Sequence, residues 1–230
     1  MLRVCLLIIH PTEITVELHQ TEEEQVEALK TWFKKNGSAL IVGVALGLAA
    51  IAGYRFWVNY HGNQSQKASL VYSNLENYLI TGDSPRVFEV GRQLVEHFSS
   101  TPYAALAALG MARMSVENHS LDAAEVHLRW VIKNASEDGL KNVARLRLAR
   151  VLATEKKYDE ALALVNKSNQ GSYTSLYSEV RGDILLAQKK PQQARSAYQQ
   201  ALDTIAGGDR RRTFIEIKMK DLPATDSVQG

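Results

Sequence analysis

Charged residues disappear from the chain between Asn36 and Tyr54, where it reads NGSALIVGVALGLAAIAGY. With Arg55 taken as a snorkelling end residue, the apolar stretch covers residues 39–58, 20 positions in all. As a helix it rises about 30 Å, the thickness of a bilayer's hydrocarbon core. Trp32 and Phe33 before it, and Tyr54, Phe56, Trp57 and Tyr60 after it, are the residues that anchor at a membrane interface. A buried core helix of this length would carry polar positions on one face, and a cleaved signal would be shorter and nearer the start. The pattern predicts a membrane span over residues 38–60. Ahead of it, Val26, Leu29 and Phe33 stripe one face of an amphipathic helix predicted over residues 21–37. Thr21 and Glu24 form its capping box, and Glu27 is placed to pair with Lys30.

Residues 1–20 fit neither pattern. Val4–Ile9 is a six-residue apolar run, too short to span, and Arg3 argues against a lipoprotein signal at Cys5. A short strand, disorder, or a start site assigned upstream of the real one are the three readings of this extension. Residues 223–230 read as a disordered tail. Within the span, Gly43 and Gly47 form a GxxxG, and Ala45, Ala49 and Gly53 repeat the spacing on a neighbouring face. Small residues let two membrane helices approach closely; the plainer reading is a span merely rich in Gly and Ala.

Beyond the span the period stays helical. Helices of 12 to 17 residues alternate with breaks such as Thr81–Pro85, Asn118–Ser120 and Lys189–Pro191. Three helix pairs repeat a spacing of twelve between a small residue on the first helix and an alanine on the second: Ala112 and Ala124, Ala149 and Ala161, Gly182 and Ala194. The pairs recur at 37 and 33 residues, and a large apolar residue follows each alanine by four: Leu128, Val165, Tyr198. Small residues at that spacing let antiparallel helices touch, which predicts an all-α helical-hairpin solenoid over residues 61–222. The pattern resembles the tetratricopeptide repeat. Most of that repeat's Trp, Tyr and Pro positions are missing, and the pair spanning residues 65–98 fits the spacing poorly. A final helix over residues 214–222 is expected to cap the apolar end.

Charge sets the orientation. Lys30, Lys34 and Lys35 precede the span, and Arg55 alone follows it until Lys67. The positive-inside rule then places the N-terminus in the cytoplasm and the repeats outside, in the periplasm of a bacterium. The overall charge of +2 and pI of about 8.6 lack the concentrated basic face of a nucleic-acid binder. Cys5 is the only cysteine, which excludes a disulfide framework. His61, His97, His119 and His127 keep no metal-ligand spacing, and no phosphate loop, dinucleotide turn or GxSxG is present. The reading is of a protein with no cofactor, no metal and no enzymatic activity. The densest cationic cluster is Lys141, Arg145, Arg147 and Arg150, with Arg147 read as ordinary surface. Arg113 and Arg150 fall one residue after equivalent small residues, a position that faces the concave groove in tetratricopeptide repeats. There they would hold a carboxylate or a peptide backbone; the plainer alternative is solvent-facing side chains with partners four residues away.

Together these features resemble the YfgM family. The likeness covers residues 21 to about 222 and is most specific in EEEQVEALKTWFKKNGSALIVGVALGLAAIAGYRFW, LKNVARLRLARV, VRGDILLAQKKPQQARSAYQQAL and IEIKMKDLP. It implies an ancillary subunit of the SecYEG translocon, anchored in the inner membrane with its N-terminus inside. It also implies a periplasmic tetratricopeptide-like domain that brings the chaperone PpiD to nascent secreted proteins. The alternative role implied is a cytoplasmic tail that restrains a stress-response regulator.

Overall fold

Each helical hairpin turns on one residue in the left-handed region: Gly82 (φ 72°), His119 (59°), Lys156 (64°) and Lys189 (61°). These positions recur 37, 37 and 33 residues apart. The amide after each reaches back to a carbonyl five residues earlier: Asp83 to Tyr78 (3.0 Å), Ser120 to Ser115 (2.8 Å), Lys157 to Leu152 (2.8 Å) and Lys190 to Leu185 (2.9 Å). That bond closes a helix end whose last carbonyls would otherwise lack donors. The turn is therefore the same in all four hairpins, although only the first uses glycine.

The computed structural model describes residues 22–166 and 171–223. The expected cap at Thr21, the extension 1–20 with Cys5, and residues 224–230 of the tail lie outside the described residues. The helices are α1 (Glu22–Thr81), α2 (Ser84–His97), α3 (Pro102–Glu117), α4 (Leu121–Asn134), α5 (Asp138–Thr154), α6 (Tyr158–Val165), α7 (Thr174–Ala187), α8 (Pro191–Thr204) and α9 (Arg211–Lys220), with a 3-10 turn at Gly171–Tyr173. No strand occurs among the described residues. The chain divides into two units, the second beginning at Asn59.

In the first unit, residues 22–58 are helical. Among the described residues α1 is the one helix long and apolar enough to cross a membrane, with a mean hydropathy of 1.9 over its most apolar window. Ile41 and Leu46 there are 71% and 66% exposed.

In the second unit, α2 to α6 pack each on the next, and α7 on α8. The first helices of successive hairpins also touch, α3 with α5 and α5 with α7, which is how a solenoid stacks. The end of α1 serves as the first helix of the first hairpin: Ala68 and Leu75 are fully buried in the shared core, and Tyr72 meets Tyr103 of α3 at 5.6 Å. That hairpin, expected to fit poorly, keeps the spacing of twelve but fills it with Leu75 and Val87. Compensation comes four residues later, where Gly91 stands in place of a large residue. A Cβ on Gly91 would lie 2.7 Å from the Met111 side chain. Size is conserved in sum and exchanged in position.

The array ends on a second cluster formed by Leu185, Ala194, Ala197, Tyr198, Ala201 and Ile205, which Ile215 of α9 and Leu222 cover. Ile215 is fully buried, whereas Phe214 is 63% exposed. The capping helix thus uses Ile215 to close the core.

A candidate protein-binding groove

Small residues position the groove. Ala112 on α3 and Ala149 on α5 are buried, as are Ala124 and Ala161 on the helices that follow them. In the third pair Ala194 is fully buried, and a Cβ on Gly182 would lie 2.9 Å from Tyr198 Cζ. With these positions turned inward, the next residue along each first helix points to the edge of the packed face. Arg113 and Arg150 stand there.

The structure brings both to one cavity of 590 Å³ between α3, α4 and α5. Its floor is aliphatic, from Ala112 and Val116 of α3, Leu121 and Leu128 of α4, and Val151 of α5. Val116 is 41% exposed inside it, although most of the neighbouring α3 is buried. Arg147, expected as ordinary surface, is exposed and lines the same cavity. Arg147 precedes Arg150 by three residues and so shares its helix face; that spacing was the signal available in the sequence. The other members of the cationic cluster turn elsewhere, Lys141 to Asp138 (3.8 Å) and Arg145 to Asn142 (3.0 Å).

Three guanidinium groups meet one carboxylate here. Glu117 accepts from Arg113 Nε at 2.8 Å, an ordinary pair one turn apart. Neither Arg147 nor Arg150 has a carboxylate or hydrogen-bond partner for its guanidinium among the described residues. Burial, and then the charges of Arg150 and Arg113, hold the pKa of Arg147 below the usual guanidinium range. The group stays protonated, so the cost persists as repulsion within the groove. Among the described residues no group of His, Cys, Asp and Glu could hold a metal ion. An arrangement of unpaired guanidiniums over an aliphatic floor is suited to binding a carboxylate that carries an apolar neighbour.

A second polar cluster, which the sequence reading did not find, fastens α9 to α7. Lys218 donates to Glu179 Oε1 (2.9 Å) and to both oxygens of Asp183 (2.8 and 3.1 Å), while Tyr198 donates to Asp183 (2.8 Å). Burial and then the Asp183 charge push the Tyr198 phenol well above its usual range. Lys218 lies 39 residues from Glu179, and no local spacing announces the pair.

Along α1, an added Cβ at Gly43, Gly47 or Gly53 would meet nothing within 4 Å, and Ala49 is exposed beside them. Gly43 and Gly47 lie on one face of the helix and Ala49 and Gly53 on a neighbouring one, and both faces are open.

The chain matches the family described as tetratricopeptide repeat-like domain over residues 30–224. It is similar to an ancillary SecYEG translocon subunit of Escherichia coli (strain K12), 33% identical over 184 residues, which cover 80% of this chain and 88% of that protein. Proteins of the same description resemble it in Neisseria gonorrhoeae, 30% identical over 89% of this chain and 98% of theirs, and in Haemophilus influenzae, 27% identical over 87% and 97%. The chain belongs to this family of tetratricopeptide repeat-like ancillary translocon subunits, and the resemblance to the YfgM family is borne out.

Proposed function

We propose that this member of the ancillary translocon subunit family is itself an inner-membrane partner of SecYEG, with its repeat domain held in the periplasm to bind proteins at the channel exit. The observation that carries the reading is the near end-to-end similarity to proteins of that description, spanning 88% of one relative and 98% of another. The exposed apolar stretch of α1 supports a single-pass anchor at residues 38–60. Lys30, Lys34 and Lys35 on its near side support an N-terminus in the cytoplasm.

A tether of this kind acts through concentration. Confined to the channel exit, a groove of weak intrinsic affinity stays occupied by a partner that would escape it in solution. The repeat domain then has two kinds of occupant to serve, a periplasmic chaperone such as PpiD and the nascent secreted chain. The two small-residue faces, Gly43 with Gly47 and Ala49 with Gly53, are the surfaces proposed for packing against a membrane helix of the translocon.

Photoreactive residues placed at Gly43, Gly47, Arg113 and Arg150 of the membrane-embedded chain test both halves, with adducts identified by mass spectrometry. Translocon subunits at the glycines and a chaperone or client at the arginines are expected. Self-adducts alone at the glycines, with nothing at the arginines, would overturn the reading in favour of a homodimer acting through its cytoplasmic tail.

A further inference from the structure

The groove carries two positive charges that the described residues leave uncompensated, because Glu117 is taken up by Arg113. Arg147 and Arg150 stand one turn apart on α5, which separates their Cβ atoms by roughly 5–6 Å. Carboxylates presented at i and i+3 or i+4 of a helix, or at alternate positions of a strand, come at nearly the same separation. The aliphatic floor beneath adds a second requirement. A free inorganic anion would satisfy the guanidiniums and leave Val116 and Val151 wet. Nucleic acid would expect a row of aromatic stacking platforms, and His119 is the one ring that lines the cavity, with no Phe, Tyr or Trp beside it.

We propose that this groove recognises a short amphipathic segment of a partner protein, in which two acidic side chains flank aliphatic ones. The carboxylates dock on Arg147 and Arg150, and the aliphatic side chains cover Val116, Leu128 and Val151. The inference rests on the protein-binding reading above and specifies the chemistry of the partner. Charge complementarity selects the occupant: three guanidiniums gather where one carboxylate stands, and an acidic segment supplies the further negative groups. Bidentate guanidinium–carboxylate pairs fix the register, while the apolar floor contributes the area that a purely ionic contact lacks.

The test uses the full chain in nanodiscs and a fluorescent, N-acetylated and C-amidated probe peptide containing Glu-Leu-Leu-Glu between Gly-Ser flanks. Fluorescence anisotropy should show binding that weakens steeply with salt and weakens roughly 10- to 100-fold in Arg150→Gln, the usual cost of a lost charge-assisted bond. Arg92→Gln, on the exposed face of α2, removes the same charge outside the groove and should leave binding unchanged. A charge swap guards against a trivial loss of fold: Arg150→Glu combined with Arg147→Glu should lose the acidic probe and capture the Lys-Leu-Leu-Lys version. Equal binding of the Glu-Leu-Leu-Glu probe and of a neutral Gln-Leu-Leu-Gln counterpart would overturn the proposal. So would equal losses in Arg92→Gln and Arg150→Gln, complete displacement by millimolar inorganic phosphate, or a strict need for a free peptide C-terminus. Crosslinking of Gly43 to translocon subunits is independent of these results, so a failed probe with intact crosslinks removes this partner chemistry and leaves the translocon reading in place.

Discussion

Replacing Lys218 by Met should release α9 from the end of the array while the remaining helices stay folded. The ammonium of Lys218 is held by three contacts of 2.8–3.1 Å to Glu179 and Asp183. Methionine keeps most of the aliphatic stem but leaves Glu179, which is only 8% exposed, facing Arg211 Nη1 at 3.6 Å as its remaining cation. Breaking a fully buried pair costs about 3–5 kcal/mol. The Lys218 side chain is 35% exposed, so solvent screening reduces the cost to about 1.5–3 kcal/mol. The apolar hold on α9 is no larger, since Ile215 is its one fully buried side chain and contributes about 1.5–3 kcal/mol. The two terms are comparable, and losing the first should leave the helix marginally docked.

Hydrogen exchange across residues 211–222 reads this directly, with roughly 10- to 100-fold faster exchange expected there and little change in α3 to α5. Adding Glu179→Gln should recover part of the protection by removing the stranded charge. Burial works to lower the Lys218 pKa, but its bonds to Asp183 and Glu179 outweigh that and raise it above 10.5. The stabilisation that Lys218 contributes is therefore complete below the unfolded lysine pKa and fades as pH rises through the folded one, so wild-type α9 should loosen in alkali. Unchanged exchange in K218M, or a change spread evenly over the array, would refute the assignment of this cluster as the fastening of α9.

Three further outcomes are expected. Gly182→Ala drives a methyl group into Tyr198 Cε1 and to 2.5 Å from its Cδ1, and the ring is fully buried with its hydroxyl held by Asp183; the cost should be about 1–3 kcal/mol, read as a melting temperature lowered by roughly 3–10 °C. Lys156→Gly should stabilise by about 0.5 kcal/mol in urea unfolding, because relief of the left-handed φ of 64° outweighs the extra chain entropy of glycine, whereas Gly82→Ala should cost about 1 kcal/mol. Hydrogen bonds from Arg129 and Lys157 hold the Glu125 carboxyl below the usual range against a smaller opposing effect of burial, so Glu125→Gln should cost under about 1 kcal/mol at pH 7, a difference that fades as pH falls through the lowered folded pKa.

What the sequence showed, it showed through local spacing. The helix breaks, the small residues twelve apart and the uncharged stretch are each written within a few turns of chain, and the all-α array follows from them. The first hairpin escaped the same test because its bulk moved from one slot to another, with Leu75 and Val87 large and Gly91 small. A search for small residues sees absence where the fold sees a constant volume. Register, read with the likeness to tetratricopeptide repeats, points to Arg113 and Arg150, which the structure brings to one groove; Arg147 joins them because three residues on a helix is nearly one turn. The fastening of α9 is illegible in the sequence, since Lys218 lies 35 and 39 residues from its partners and meets them only once the α7–α8 hairpin has folded and α9 has docked on it.

The notch at Gly91 has a mirror image. Met111 fills the space beside Gly91, and Leu79 fills the space beside Gly110, where an added Cβ would lie 2.9 Å from Leu79 Cδ1. Neighbouring residues 110 and 111 thus give and take a side chain across the same joint, like a dovetail cut in both boards. Repeat arrays are ordinarily modular, and a unit can be dropped from one end at the cost of a single interface. Here the first two units are keyed to each other, so a shortened array beginning at α3 would present Met111 to water and leave an empty socket at Gly110. The solenoid has a defined first unit as well as a last one.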